Sequence, residues 1–319
     1  MTLSGTPDAR TPLALGAETT LRTKPSSLRR DTARNVLRQK SAVVGLIILT
    51  FLVVVAIFAP VIAPFDPNVS MLDLGIPGTR GDSPCIHLLG CPADQTQHLM
   101  GLDSNLRDEF SRVVFGARVS LLVGILTVGF GIVIGTTIGA IAGFTGGAVD
   151  NILMRLMDVM LSFPSLILAI AIVTVLGPGL VNGMLAIGIV SIPIYARVMR
   201  GSVLSVREAD FVTASRAMGE SSRGILTRRI LPNALTPLIV QGTLGIGGAI
   251  LEVAALSFVG IGALPPLAEW GAMIAGDRNL FFSAPHLILF PGIAITLAVL
   301  SFNLIGDGLR DALDPRLNR

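Results

Sequence analysis

The sequence predicts an all-α membrane protein with six transmembrane helices and one short helix on the cytoplasmic side. Of its 319 residues, 51% are hydrophobic and only 14% are charged, whereas a soluble domain has about 25% charged residues. Five long segments contain no Asp, Glu, Lys or Arg: 43–63, 119–149, 159–196, 230–251 and 279–306. A helix of about 20 apolar residues crosses the hydrocarbon core of a bilayer. These observations exclude a soluble enzyme, a disordered chain and a collagen-like fibre.

The first apolar segment is predicted to be an uncleaved membrane anchor. Residues 1–40 contain eight Lys and Arg residues, and cytoplasmic flanks of membrane helices are enriched in these residues. The apolar segment that follows is longer than the 7–15-residue core of a signal peptide. We therefore expect a basic cytoplasmic tail at 1–42 and a first transmembrane helix at 43–64.

The remaining chain is divided by its polar segments. We expect an extracytoplasmic loop at 65–112, a five-helix core at 113–312 and a cytoplasmic tail at 313–319. The long uncharged segment 159–196 must form two helices, because a Gly-Pro-Gly sequence at 177–179 predicts a tight turn. The five predicted core spans are approximately 115–143, 151–176, 183–200, 233–262 and 284–306.

The charges of the loops support this topology. The predicted cytoplasmic stretch 197–229 contains seven Arg residues, and the predicted external loop 65–112 contains seven acidic residues against three Arg. This distribution follows the positive-inside rule. Six crossings then place both termini in the cytoplasm.

Two features inside the spans predict packing more than chemistry. Gly131, Gly135, Gly139 and Gly143 recur every four residues, a spacing that lets two helices approach closely. The facing helix is either within this bundle or in a partner subunit. Glu252 is the main acidic residue within a span, and it is either functional or hydrogen-bonded at a helix contact. Such scarcity of charge argues against an ion-coupled carrier.

The sequence contains no recognisable energy-converting or catalytic motif. A phosphate-binding loop requires a lysine after a glycine-rich turn, but Lys24 and Lys40 are the only lysines and neither lies in such a turn. Nucleophile-elbow and metalloprotease motifs are also missing. One Trp and one Tyr do not provide the aromatic and basic surface of a nucleic-acid-binding protein. Uphill transport would therefore need another chain to supply the energy.

The segment between the fourth and fifth spans predicts a protrusion on the cytoplasmic side. Residues 207–218 have a helical composition, with a small apolar face formed by Phe211, Val212, Ser215 and Met218. Gly219 is suited to end this helix, and Pro232 is expected to break the chain before the fifth span. The apolar face is short, which favours docking into a protein groove over lying on a membrane.

Residues 213–232 resemble the "EAA" loop of ABC-importer permeases. Thr213-Ala214-Ser215, Gly219 and Leu231-Pro232 match its small triplet, glycine and Leu-Pro end, although the family usually has Glu in place of Thr213. The chain resembles more narrowly the C-type permease subunit of dipeptide, oligopeptide and nickel importers, over about 40–317. Further matching segments are 98–103, 115–121, 196–201, 256–262 and 303–315.

The resemblance implies the fold of a type I ABC-importer transmembrane domain in a bacterial plasma membrane. The chain would form half of the pathway of an ATP-driven importer for di- or oligopeptides, with nickel or another small solute as alternative cargo. Implied partners are a homologous second permease subunit, two ATP-binding subunits, an extracytoplasmic solute-binding protein and membrane lipid. ATP and Mg would bind to partner subunits, leaving this chain without a cofactor or catalytic residue. An autonomous ion-coupled carrier or channel remains the alternative function.

By the same resemblance, the helix within 207–220 would be the coupling helix that contacts the ATPases. Ala214, Ser215 and Gly219 are expected to lie closest to them. The expected contact residues are Glu208, Ala209, Phe211, Val212, Thr213, Ala214, Ser215, Arg216, Met218 and Gly219.

The external loop contains both cysteines of the chain. For Cys85 and Cys91 we favour a local disulfide; free thiols, or a metal site that also uses His87 and His98, are the alternatives. By resemblance, Asp103, Arg107 and Asp108 form a scaffold on the side where the solute-binding protein docks. Within this motif, Leu102 and Leu106 replace the family's usual Thr and Gly.

Overall fold

A computed structural model describes residues 36–92 and 94–313. Within these residues the protein is helical, and its strand-like pairing is confined to two isolated bridges, Cys85 with His98 and Leu102 with Asp108. Five helical segments are long and apolar enough to cross a membrane, and one sharply bent pair of helices provides a sixth if it is counted as a single span. Of the predicted tails at 1–42 and 313–319, residues 1–35 and 314–319 lie outside the described residues.

The helices follow one another in the predicted order. The anchor comprises α1 (Lys40–Ile57) and the short α2 (Ala59–Ile62), and the external loop contains two 3-10 turns, Met71–Leu74 and His87–Leu89. The core helices are α3 (Glu109–Thr145), α4 (Gly147–Leu161), α5 (Ser165–Leu176), α6 (Leu180–Arg207), α7 (Asp210–Ala217), α8 (Ser222–Gly224), α9 (Leu231–Val259), α10 (Trp270–Asp277) and α11 (His286–Leu313). A π-helical turn, Ile225–Ile230, connects α8 to α9, and a 3-10 turn, Arg278–Leu280, follows α10.

The third predicted span is not one straight helix. The axes of α4 and α5 meet at 93°, and Pro164 lies at the junction as the N-terminal cap of α5. Proline has no N–H to donate and its ring clashes with a preceding helical turn, so one helix cannot continue through it. Two ion pairs hold α4 against α6, one between Arg200 and Asp150 and one between Arg197 and Asp158.

The expectation that Pro232 breaks the chain before the fifth span is wrong. Helical backbone runs without interruption from residue 222 to residue 259. Pro232 has no N–H to donate, and it follows the wider π-helical turn, where the helix continues without that hydrogen bond. The π-helical turn directly before it changes the hydrogen-bond spacing from four residues to five. The segment below the membrane is therefore rigidly continuous with α9.

The regularly spaced glycines of α3 pack within the bundle, against α6. A Cβ atom on Gly135 would lie 2.7 Å from the Cβ of Tyr195 and 2.8 Å from the carbonyl oxygen of Ile192. A Cβ on Gly143 would lie 2.9 Å from the carbonyl oxygen of Arg200. Only glycine permits so close an approach of the two backbones. Helix α6 of the same bundle, rather than a helix of a partner subunit, therefore occupies this face.

The outer helices complete the bundle around this pair. Helix α9 packs against α3, α6 and α11, and α1 packs against α11, where Gly45 lies against the backbone of Ser301. Many Leu, Ile, Val and Phe side chains of the span helices remain exposed, for example Ile47, Val133 and Ile152. Exposed apolar side chains of this kind are expected for a helix bundle that is surrounded by lipid or by further apolar chains.

We predict that Gly135→Leu destabilises the protein strongly. The added side chain would overlap Tyr195 and Ile192, and overpacking of a tight contact costs about 1–3 kcal/mol or more. Gly129→Leu on the same helix is the matched control, because no atom lies within 4 Å of a Cβ at that position. The measurement is the thermal unfolding midpoint of each variant purified in detergent. Equal midpoints for the two variants would contradict the assigned packing.

Candidate functional site

The first candidate surface is α7, which lies beneath the bundle between α6 and the continuous helical segment 222–259. Its buried side is formed by Val212 and Ser215. Val212 belongs to the same apolar cluster as Ile225 and Ile230 of the π-helical turn, which fixes α7 against the base of α9. Phe211 and Met218 are 45% and 75% exposed, so the predicted single apolar face is divided between the two sides of the helix.

Ser215 is buried, which contradicts the expectation that it is among the residues closest to the ATPases. Only 3% of its surface is exposed, and its Oγ donates a 3.0 Å hydrogen bond to the carbonyl oxygen of Phe211 in the preceding turn. Val212 is buried for the same reason, since both residues face the π-helical turn. The exposed positions on the opposite side include Thr213, Ala214, Arg216 and Ala217.

Gly219 ends α7 as the sequence predicted. Its φ is +80°, a left-handed conformation that costs glycine little. The Gly219 N–H donates to the carbonyl oxygen of Arg216 at 3.0 Å, and the Glu220 N–H donates to that of Ser215 at 3.1 Å. These two bonds form a Schellman motif, which satisfies the last carbonyl groups of the helix and turns the chain sharply toward α8.

Charged side chains hold the segment at both ends. Arg207 donates from one guanidinium nitrogen to the carbonyl oxygens of Gly143 and Phe144, at 3.1 and 3.3 Å, at the C-terminal end of α3. After α7, the Nε of Arg229 donates to the carboxylate of Glu220 at 3.0 Å. Glu208 and Ala209 form the short connection between α6 and α7. The helix is thus attached to α3, α6 and α9.

The second candidate surface is the outer end of α3, where polar residues of the external loop are buried. Asp108 caps α3, because its Oδ2 accepts hydrogen bonds from the N–H and Oγ of Ser111. Its other carboxylate oxygen lies 2.9 Å from Nδ1 of His98. Asp103 accepts from the backbone N–H groups of Asn105 and Arg107, each at 2.8 Å.

Arginine side chains complete this network. The Nε of Arg107 donates to Asp103 at 2.7 Å, and that of Arg112 lies 3.4 Å from the same carboxylate. Arg112 also donates to the carbonyl oxygens of Pro67 and Pro266, at 2.7 and 3.3 Å. The structure therefore brings the three residues Asp103, Arg107 and Asp108 together as a buried support rather than an exposed contact surface.

Sequence reasoning missed two acidic residues of this region, Glu109 and Asp277. Asp277 is the last residue of α10, and its Oδ1 accepts from the backbone N–H of Ser104 at 3.0 Å. Burial raises the pKa of the Asp277 carboxyl, and the hydrogen bond from Ser104 opposes that shift. No local pattern could have identified this contact, because 173 residues separate its partners.

Two further residue sets from the sequence analysis have defined positions. A disulfide joins Cys85 and Cys91 in the structure, while Nε2 of His87 bonds to the backbone carbonyl oxygen of Gln95 at 2.8 Å.

Within the spans, Glu252 accepts a 3.3 Å hydrogen bond from Oγ of Ser165, which lies at the start of α5. Among the described residues, no cationic side chain forms an ion pair with Glu252.

Two family models match the chain. "Binding-protein-dependent transport system inner membrane component" matches residues 135–319. "N-terminal TM domain of oligopeptide transport permease C" matches residues 27–76. Together they cover the anchor and most of the helical core.

Curated relatives are similar over nearly the whole length. The dipeptide transport system permease protein DppC of Alkalihalophilus pseudofirmus is 46% identical over 288 residues, which are 90% of each chain. The glutathione transport system permease protein GsiD of Pectobacterium atrosepticum is 41% identical over 90% of this chain and 91% of that protein. Among solved structures, an inward-facing MetNI methionine ABC transporter matches 64% of this chain and 97% of its own, with a TM-score of 0.52 and 20% identity. That likeness concerns the fold alone.

We predict that Ser215→Arg releases α7 from the bundle, whereas Ser215→Ala does not. Alanine removes only a hydroxyl bonded within its own helix, but arginine would bury an unpaired charge on the buried side of α7, beside Val212. Limited trypsin digestion, with cleavage after Arg216 and Arg223 followed by mass spectrometry, measures the release. Cleavage should be at least about tenfold faster in Ser215→Arg, because digestion follows the population of the open state. Equal rates would show that residue 215 faces solvent.

We predict that glycine at residue 106 gives a more stable protein than alanine, which reverses the usual order. Leu106 has a φ of +62°, a conformation that costs a residue with a Cβ about 1–2 kcal/mol. Leu106→Gly should therefore be more stable than Leu106→Ala by about 1 kcal/mol. The same pair of substitutions at exposed Leu72, which has no positive φ, should give the usual order with alanine more stable. Thermal unfolding midpoints of the four purified variants test this, and the usual order at both positions would contradict it.

Proposed function

Since the chain belongs to the family of inner membrane components of binding-protein-dependent transport systems, we propose that separate ATPase subunits drive it through the exposed side of α7. It is a transmembrane permease subunit of an ABC importer. In this proposal it forms half of the translocation pathway, and a homologous second permease subunit forms the other half. The observation that carries the proposal is a short exposed helix held rigidly against three long helices.

The attachment of α7 provides a route for mechanical coupling. Arg207, the last residue of α6, bonds to the C-terminal end of α3 just before α7 begins, while Val212 packs against the π-helical turn that continues into α9. A force on α7 would therefore move the cytoplasmic ends of three long helices together. This is rigid-body motion of packed elements, as alternating access between inward and outward states requires.

The exposed side of α7 suits a protein groove. Phe211 and Met218 project from its two ends, and the exposed positions between them include the small residues Ala214 and Ala217. Aromatic and methionine side chains are enriched at protein interfaces, and small residues allow a partner to approach the backbone. We assign the contact to Glu208, Ala209, Phe211, Thr213, Ala214, Arg216, Met218 and Gly219, with Val212 and Ser215 supporting the helix from its buried side.

The energy source belongs to other chains in this proposal. The sequence has no phosphate-binding loop, so ATP and Mg would bind to two partner ATPase subunits. An ion-coupled carrier would need ionisable groups at depth in the membrane. Glu252 is the main candidate within the spans, and this scarcity of charge argues against a carrier. The charge asymmetry of the loops supports both termini in the cytoplasm and a solute-binding protein on the side of the loop 65–112.

The proposed cargo is a di- or oligopeptide. Relatives at 41–46% identity are named as permeases for dipeptides and for glutathione, which is itself a small peptide. The test is uptake of radiolabelled dipeptide by proteoliposomes that contain this chain with its co-purifying subunits, with and without ATP. Accumulation by this chain alone would overturn the assignment to an ATP-driven complex. Nickel uptake without peptide uptake would overturn only the cargo.

We predict that Ala214→Arg abolishes coupling while the protein still inserts and folds. The exposed position lies in the proposed contact, where an added charge cannot be desolvated cheaply. Thr227→Arg is the matched control, because it adds the same charge at an exposed residue on the same side of the membrane. ATP-dependent peptide uptake should fall at least about tenfold in Ala214→Arg only, with ATPase subunits lost on purification. Normal uptake by Ala214→Arg would remove α7 from the interface.

A further inference from the structure

Three carboxylates from separate parts of the chain meet at the outer end of α3. Asp103 lies in the external loop, Glu109 is the first residue of α3, and Asp277 is the last residue of α10. One oxygen from each lies within 4.8 Å of the other two. Their exposed fractions are 1%, 0% and 3%, so water does not screen their mutual repulsion.

Glu109 differs from the two aspartates of this cluster in its hydrogen bonding. Asp103 and Asp277 each accept hydrogen bonds from the loop, but within residues 36–92 and 94–313 neither carboxylate oxygen of Glu109 has a hydrogen-bond partner. The fully buried side chain points into the cluster, since one of its oxygens lies near both aspartates. A buried carboxylate without any donor is strongly destabilising. A bound species that contacts Glu109 directly would remove this cost.

The charges around the cluster indicate which species fits. Asp103, Asp108, Glu109 and Asp277 provide four carboxylates, whereas Arg107 and Arg112 provide two guanidinium groups. Counted over these carboxylates and guanidinium groups, an excess of two negative charges remains. One divalent cation would balance it.

We propose that Asp103, Glu109 and Asp277 bind a divalent cation, and that calcium is the ion that fits. All three ligands offer carboxylate oxygen, which suits calcium and magnesium and not the softer metals. Two oxygens on opposite sides of calcium, each about 2.4 Å away, are separated by about 4.8 Å, and no two of these three ligand atoms are farther apart than that. Magnesium requires shorter distances and keeps most of its water ligands.

The surroundings leave room for the remaining ligands. A cavity of about 40 Å³ lies beside the cluster and is lined in part by Ser104, Arg112 and Asp277. Its volume is enough for one or two water molecules, which would complete a coordination shell of six to eight oxygens. The ion would join the external loop, the first turn of α3 and the end of α10. It would thereby fix the outer surface of the permease independently of its cargo.

The test uses the full chain purified in detergent and depleted of metal with a chelator. We expect calcium to raise the thermal unfolding midpoint by about 2–4 °C, chelator to reverse the shift, and magnesium to produce a smaller one. Radiolabelled calcium should remain bound through gel filtration. No shift and no retained calcium, or a shift with magnesium alone, would overturn the proposal and indicate that protons neutralise the cluster.

Variants locate the effect. Glu109→Gln keeps the shape of the side chain and removes its charge, so both the calcium-induced shift and calcium retention should be lost. Asp277→Asn should have the same result and serves if Glu109→Gln does not fold. Asp73→Asn, at an exposed acidic residue of the same loop, is the control and should retain both. Calcium retention by Glu109→Gln and Asp277→Asn equal to that of the unmodified chain would exclude this cluster as the site. Peptide uptake is not needed for any readout, so this test and that of the proposed transport can fail separately.

Discussion

The close contact between α3 and α6 is the constraint on which the rest of the bundle depends. In lipid, apolar surface alone does not drive helices together, so backbone proximity and dense packing must do so. The glycines of α3 let its backbone approach Tyr195 and Ile192, and a side chain at any of these positions would separate the two helices. The same contact brings the C-terminal end of α3 to Arg207, and thereby determines where α7 begins.

The two ends of the molecule are stabilised by different interactions. At the end of the bundle where α6 ends, α7 is held by an apolar contact beneath Val212, by the Schellman motif at Gly219 and by two arginines bonded to carbonyl or carboxylate oxygens. Thr213, Ala214 and Ala217 remain exposed, as the proposed contact with a partner requires. A coupling element needs both properties, since a flexible helix would absorb a displacement rather than transmit it.

The outer end is held by buried charge. Asp108 caps α3, Arg112 reaches backbone carbonyl groups on both sides of the cluster, and Asp103 receives hydrogen bonds from its own loop. Among the carboxylates of this network, only Glu109 lacks a hydrogen-bond donor within the described residues. In a network where every other carboxylate is satisfied, an unsatisfied one indicates a binding function more directly than an exposed acidic residue would. The cluster also joins the first turn of α3 to the end of α10.

Much of the architecture follows from local properties of the sequence. The long uncharged segments predicted the spans because a bilayer accepts only backbone whose hydrogen bonds are satisfied within each segment. The turn at 177–179 and the end of α7 at Gly219 were predictable because proline and glycine restrict or extend backbone geometry within one or two residues. The Leu-Pro sequence at 231–232 misled, since a helix can continue through a proline where a neighbouring π-helical turn changes the hydrogen-bond spacing.

What the sequence determined by itself was therefore the order and the approximate positions of the apolar segments that can span a membrane. Tertiary structure alone decided which side of α7 is buried, that α4 and α5 meet at a sharp angle, and that Asp277 lies beside Ser104. The physical reason is the distance along the chain over which each interaction acts. Hydropathy, capping and turn geometry act between near neighbours in the chain, whereas burial and charge pairing depend on residues that only folding brings together.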